Sequence, residues 1–295
     1  MSAKILDGRL VSDFLLKGVG REVARLKASG ISPKLVIILV GNNPASLSYV
    51  RQKDLSAHKT GMDYEQLNLD EKVTTEKLVS IIEKLNKDKS VHGILVQLPL
   101  PKHISVPLVI KAIDPAKDVD GFQAYNLGKM FTSLEFEHLV PCTPKGIIEM
   151  LEFYKISPAG KHVVIVGRSN LVGKPLSVML LNRDATVTVC HSKTKNLAKF
   201  TSTADILVAA VGKPRMIKAK MVKRGAVVID VGTTKVKDKL TGDVDFEKVK
   251  AKASFITPVP GGIGPMTVAS LMDNVVKAAK RQAKAGAVIK QMRPS

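Results

Sequence analysis

The feature that most constrains this 295-residue chain is a recurrence of short, almost wholly apolar runs separated by stretches of helical periodicity. Leu35–Val40, Gly93–Leu98, His162–Val166, Thr186–Val189, Ile206–Val211, Ala226–Val231 and Ser254–Ile256 each read as a strand. A strand that is apolar at nearly every position needs cover on both faces, which a parallel sheet between helices provides. Right-handed βαβ crossovers join such strands, so the expected fold class is α/β. Aromatics form only 4% of the chain and tryptophan is absent, so the cores must be aliphatic.

The chain is long enough for two domains. Pro141, Pro144, Pro158 and Gly160 bracket one short amphipathic segment, Gly146–Lys155, and mark a junction. Pro265–Ala285 reads as a helix that begins at a proline and carries Val268, Leu271, Met272, Val275 and Val276 at helical spacing. It is expected to cross back onto the first domain. From Ala287 on no pattern is visible, which predicts an unstructured end.

In the second half, HVVIVGRSNLVG reads as strand, tight turn and helix, the setting in which backbone N–H groups at a helix start receive a phosphate. Gly167 and Gly173 are present, but Ser169 replaces the middle glycine of the usual dinucleotide fingerprint, and two glycines that only turn the chain would look much the same. The next strand, TVTVC, runs into His191, Ser192 and Lys193, where an enzyme specific for NAD carries an acidic residue. Arg168 and Ser192 supply positive charge and donors suited to a 2′-phosphate, so the chemistry favours NADP. Two further strands end in glycine, at Gly212 and Gly232, as expected where backbone passes close to a cofactor.

In the first half, the turn Gly41–Pro44 leads into a helix expected to be capped near Ala45 or Ser46, with Tyr49 and Lys53 four residues apart on one face. A surface Tyr/Lys pair is the ordinary reading of that spacing, but this helix follows a strand's carboxyl end, where open α/β sheets place ligands. Gln97 is the one polar residue in the strand HGILVQLPLP and must find a partner, either in the core or on a lysine amine. Asp118 and Asp120 stand in a turn before Gly121, and turn formation alone accounts for Asp118.

Taken in order, YVRQK, VQLPLP, DVDG, PCTPKG, GRSNLVGKP, CHSKT and TPVPGGIGPMT resemble the methylenetetrahydrofolate dehydrogenase/cyclohydrolase family over nearly the whole chain. The resemblance implies a catalytic, folate-binding domain of residues 1–142 plus 266–295 and an NADP-binding Rossmann-like domain of residues 143–265. It implies a cleft between them and a homodimer formed through the cofactor domains. Lys53 would be the catalytic lysine, Gln97 its partner, Tyr49 a stacking neighbour of the folate, and Asp120 the acceptor for the pterin edge. Val96, Leu98, Pro260, Gly261 and Gly262 would line the substrate site, and Gly167, Arg168, Ser169, Ser192 and Thr233 the NADP site. One departure stands out: the family commonly has Gly-Ile-Asn where this chain has Gly232, Thr233 and Thr234.

The net charge of +20 attracts anions, including a polyglutamylated folate tail, but no basic run is interleaved with stacking aromatics, so no nucleic-acid partner is expected. Lys72, Lys77, Lys84, Lys87 and Lys89 read as a solvated face. Cys142 and Cys190 belong to no cluster with metal spacing, so no metal is expected, and they fit a reducing compartment. No run is long enough to span a membrane and the start has no leader pattern, which together point to the cytoplasm. The rivals are a family member without cyclohydrolase activity or using NAD, and a basic binding protein that retained the fold.

Overall fold

A computed structural model of the chain describes residues 2–292, the side chains of Ala45 and residues 286–292 excepted. In chain order the elements are β1 (Lys4–Ile5), α1 (Gly8–Ala28), β2 (Lys34–Val40), α2 (Pro44–Thr60), β3 (Asp63–Leu69), α3 (Thr75–Lys87), β4 (Gly93–Val96), α4 (Val106–Ala112) and α5 (Ala124–Thr132). They continue with α6 (Cys142–Phe153), β5 (His162–Val166), α7 (Gly173–Leu181), β6 (Thr186–Cys190), α8 (Leu197–Thr201), β7 (Ile206–Ala209) and β8 (Val227–Asp230). Last come β9 (Thr234–Val236), β10 (Lys239–Thr241), α9 (Phe246–Lys250), β11 (Phe255–Ile256) and α10 (Ile263–Met292). Two compact units result. One holds the residues through Asp13, Met130–Phe136 and Thr143–Thr267; the other holds Phe14–Lys129, Glu137–Cys142 and the residues from Val268 on.

The second of these units is built on a three-stranded parallel sheet of order β3-β2-β4. Because side chains alternate along a strand, central β2 splits its apolar residues between two cores. Leu35, Ile37 and Leu39 face Leu16, Val19 and Val23 of α1 and Leu271, Met272, Val275 and Val276 of α10. Val36, Ile38 and Val40 face Leu78 and Ile82 of α3 and Val109 of α4. Each such fully buried side chain contributes roughly 1.5–3 kcal/mol, which is why β2 carries no polar residue after Lys34. The strand β3 was not expected, since its sequence DYEQLNL is mostly polar. It is the edge of the sheet, where one side is half exposed and polar residues cost little.

The first unit holds a six-stranded sheet of order β1-β11-β8-β7-β5-β6, parallel at every pairing. The chain leaves β5 towards β6 on one side and continues with β7 on the other, so the order reverses at β5 and opens a crevice at the carboxyl ends. The short β1 pairs with β11 in this sheet, although its residues precede the first domain's strands in sequence. The hairpin β9–β10 also lacks a strand signal in the sequence.

Helix α2 starts at Pro44, and the acceptor at its start is Asn43, whose Oδ1 receives the Ser46 N–H at 3.2 Å, in place of the expected cap at Ala45 or Ser46. Helix α10 runs on to Met292, past the expected end at Ala285 and through the segment expected to be unstructured. The residues there are mostly good helix formers and no proline intervenes, so local propensity extends the helix where amphipathic periodicity fades. Arg293–Ser295, the last of that segment, lie outside the described residues.

One buried amide ties α10 to its unit. Asn274 is fully buried and donates to the carbonyls of Val119 (2.8 Å) and Val140 (3.0 Å), holding the chain on either side of the Asp120 turn. Replacing Asn274 with alanine is expected to take this donor from the Val140 carbonyl and leave Val119 O with the Cys142 thiol, lowering unfolding free energy by about 1–3 kcal/mol, measurable by urea denaturation. A loss below about 0.5 kcal/mol would contradict that role.

Candidate active site

Helix α2 places Lys53 inward and leaves Tyr49, one turn earlier, 43% exposed. Lys53 is 8% exposed, and its Nζ donates to Gln97 Oε1 at 2.8 Å. Gln97 follows β4 and is held from both ends: its backbone N–H donates to Ile38 O at 2.9 Å, and its Nε2 to Leu98 O at 2.6 Å. With the amide nitrogen committed to that carbonyl, its oxygen is turned to the lysine. Burial pushes the Lys53 ammonium below its ordinary value, against the opposing pull of Asp120 and Cys142.

Asp120 is set by the turn before Gly121. Asp118 organises that turn: buried, it accepts from the N–H groups of Gly121 (3.0 Å), Phe122 (3.3 Å) and Gln123 (2.8 Å) and from Asn126 Nδ2 (3.0 Å). Asp118 therefore holds the loop and leaves Asp120 for other work. Asp120 keeps some exposure, yet the atoms packed around its carboxyl push it up to about 6, against the lowering effect of Lys53. Cys142 interacts with the same carboxyl; its thiol donates to Val119 O at 3.3 Å and it lies 3.6 Å from Asn274 Nδ2. Val96, Leu98 and Asp120 also line one narrow cavity of about 20 Å³ beside Ile110 and Phe122. This unit thus gathers Lys53, Gln97, Asp120, Val96 and Leu98, while Tyr49 stands outermost. A buried amine with a fixed acceptor and a carboxyl poised near neutrality is an arrangement able to move a proton.

Pro260, Gly261 and Gly262 lie in the other unit, in the loop before α10. Gly261 has φ +103°, and its carbonyl receives the Gly8 N–H at 2.9 Å at the start of α1.

The cofactor candidates share one end of the six-stranded sheet. Val166 and Cys190 are paired across β5 and β6, and the Gly167 N–H donates to Cys190 O at 2.8 Å. Arg168 and Ser192 each stand two residues past that pair, at the same end of neighbouring strands, and both are exposed. Gly167 has φ +133°, and a Cβ there would lie 2.3 Å from Ala210 O, so only glycine closes this turn. Ser169 Oγ accepts from Val172 N at 3.1 Å at the entry of α7. Thr233 is exposed three residues past the end of β8, two strands from β5. The adjoining Thr234 donates its hydroxyl to Gly212 O at 3.4 Å, so the departure from Gly-Ile-Asn links two loops. Exposed donors with no carboxylate among them, at the crevice of a parallel sheet, fit a phosphorylated dinucleotide.

Among the described residues no group of three or more His, Cys, Asp or Glu could hold a metal ion, and no helix is long and apolar enough to cross a membrane. Asn274, in α10, and Asp230 and Asp243, beside strand ends, shape these loops yet carry no motif that marks them in the sequence.

Comparison with known proteins bears on the whole chain. Residues 6–120 match the model of the tetrahydrofolate dehydrogenase/cyclohydrolase catalytic domain, and residues 141–283 that of the family's NAD(P)-binding domain. The bifunctional protein FolD of Ligilactobacillus salivarius is 53% identical over 282 residues, 95% of this chain and 98% of that protein. The crystal structure of the bifunctional FolD dehydrogenase/cyclohydrolase from Campylobacter jejuni superposes with a TM-score of 0.93 at 46% identity, over 95% of this chain and 99% of that one. That of the Trypanosoma brucei enzyme, in complex with NADP cofactor and inhibitor, does so at 0.93 and 38% identity, over 96% and 99%. With both domain models matched in order and close relatives covered almost end to end, the chain belongs to the tetrahydrofolate dehydrogenase/cyclohydrolase family.

Proposed function

We propose that the protein oxidises 5,10-methylenetetrahydrofolate to 5,10-methenyltetrahydrofolate with NADP and then hydrolyses the product to 10-formyltetrahydrofolate. The observation that carries this reading is the buried Lys53 amine, bonded to Gln97 and under the influence of Asp120, in a family whose second domain binds NAD(P). NADP, when bound, supplies the hydride acceptor. Gly167, Arg168, Ser169, Ser192 and Thr233 hold it, with Arg168 and Ser192 on the 2′-phosphate. The cation left by hydride loss is spread over the two folate nitrogens, so in that step the protein need only align the reactants.

Hydrolysis asks more of the side chains. Water attacking the methenyl carbon must lose a proton, and a folate nitrogen must gain one as the ring opens. Lys53 serves both needs because burial disfavours its charged form and so eases loss of its proton, and Gln97 aims the amine. Asp120 accepts N–H groups of the pterin edge, and Tyr49, exposed on the same helix, stacks on its ring. Val96, Leu98, Pro260, Gly261 and Gly262 complete the folate site. Residues 1–142 with 266–295 are assigned to the folate domain and residues 143–265 to the cofactor domain, although β1 pairs within the six-stranded sheet and Met130–Phe136 falls in the same compact unit as that sheet.

The same reading makes the protein a cytoplasmic homodimer in one-carbon metabolism, its 10-formyl product feeding purine synthesis. The free backbone edge of β6 supports pairing through the cofactor domains, and the lysine excess supports a polyglutamylated substrate.

Two outcomes follow. Lys53→Met is expected to lower cyclohydrolase turnover by about 10²–10⁴-fold while dehydrogenase turnover falls far less. An equal loss of both would mean that Lys53 chiefly positions substrate. Because the acceptor form of Asp120 is lost as pH falls through about 6, the folate KM is expected to rise below that pH. A KM that stays flat down to about pH 4.5 would contradict the assignment.

A further inference from the structure

Two aspartates outside every motif lie at the carboxyl end of the six-stranded sheet. Asp230 ends β8, and Asp243 follows the β9–β10 hairpin; they are 3% and 0% exposed, and among the described residues neither makes an ion pair. Each is satisfied by backbone instead. Asp243 Oδ2 accepts from Val211 N (2.6 Å) and Gly212 N (3.1 Å), and its Oδ1 from Lys213 N (2.6 Å). Asp230 Oδ1 accepts from Gly232 N (3.1 Å) and Asp243 N (2.9 Å), and its Oδ2 from Val244 N (2.9 Å).

These bonds bind together the turns that follow β7 and β8, a link that the Thr234 hydroxyl on Gly212 O reinforces. The fit is tight. A Cβ at Gly232 would lie 2.3 Å from the Asp243 carboxyl, and one at Gly242 2.0 Å from Asp230 Oδ2. A carboxylate buried without a cation carries a heavy desolvation cost, and an apolar side chain would fill the same space more cheaply. An apolar side chain could not, however, hold three successive N–H groups in one fixed conformation. The arrangement resembles an anion cradle whose occupant is the protein's own carboxylate.

We propose that Asp243, backed by Asp230, is a positioning residue for NADP: it fixes the 211–213 and 232–234 turns in the shape that receives the nicotinamide half of the cofactor. The inference rests on the reading above that these strand ends hold NADP. It adds residues that touch neither cofactor nor folate and act through backbone they hold in place.

The test is Asp243→Asn in the full-length protein, which keeps size and shape but sets an amide NH₂ against a backbone donor. The Kd for NADP, measured by titration calorimetry, is expected to rise about tenfold or more, with faster amide exchange at 211–213 in the cofactor-free protein. Cyclohydrolase activity on methenyltetrahydrofolate, assayed without NADP, is expected to stay within about twofold, which separates positioning from a general loss of structure. A Kd within about twofold of the unaltered protein overturns the inference, as does a parallel fall of NADP affinity and cyclohydrolase activity. If the variant does not fold, Asp230→Asn, which keeps size and shape but weakens the hold on the Asp243 and Val244 N–H groups, is held to the same criteria. Failure of the unaltered protein to bind NADP would instead overturn the functional reading on which the inference rests.

Discussion

The two larger sheets are parallel, and their central strands are covered by apolar side chains on both faces; chemistry is therefore confined to strand ends and to the helices that follow them. Gln97 comes directly after β4, Asp120 lies just past the bridge at Asp118 beside that strand, and Lys53 projects from the helix after β2. In the six-stranded sheet Gly167, Ser192 and Gly232 occupy the equivalent places after β5, β6 and β8. The strand interiors fix where the ends lie, and the ends carry the polar groups.

Around Lys53 and Asp120 the governing quantity is desolvation. It disfavours the ammonium of Lys53 and the carboxylate of Asp120 alike, so each moves towards neutrality while each still favours the other's charge. Asp118 and Asn274 do not share in that chemistry; they hold the backbone on which Asp120 sits. At the carboxyl end of the six-stranded sheet the arrangement differs: two buried carboxylates are satisfied by backbone N–H groups alone.

The strands of both sheets that are buried on two faces were legible in the sequence, because full burial leaves an unbroken apolar run. His162–Val166 coincides with its strand from end to end. The edge strand β3 was not legible, since half exposure admits Asp, Glu, Gln and Asn into a segment whose partner, β2, supplies the apolar pairing. Nor was β1, a two-residue strand whose pairing with β11 depends on a contact some 250 positions away. Gln97 could be singled out because an isolated polar residue in an apolar strand is conspicuous, whereas Lys53 and Asp120 stand among other polar residues and were marked by their place after a strand end or in a turn and by the resemblance of YVRQK and DVDG to a known family. Asp230 and Asp243 could not: one ends a strand and one follows a hairpin, places where aspartate is common, and only the folded backbone brings three N–H groups to each. Extension of α10 to Met292 escaped notice for a simpler reason, that propensity without amphipathic spacing leaves no periodic trace.

The central claim is that one chain oxidises a folate and then hydrolyses what it has made. The most direct measurement incubates the purified protein with methylenetetrahydrofolate and NADP while recording reduced cofactor and methenyl product separately. The account predicts that reduced NADP forms while methenyltetrahydrofolate fails to accumulate, because hydrolysis keeps pace. Absence of NADP reduction, or accumulation of the methenyl compound in step with reduced cofactor, would contradict it.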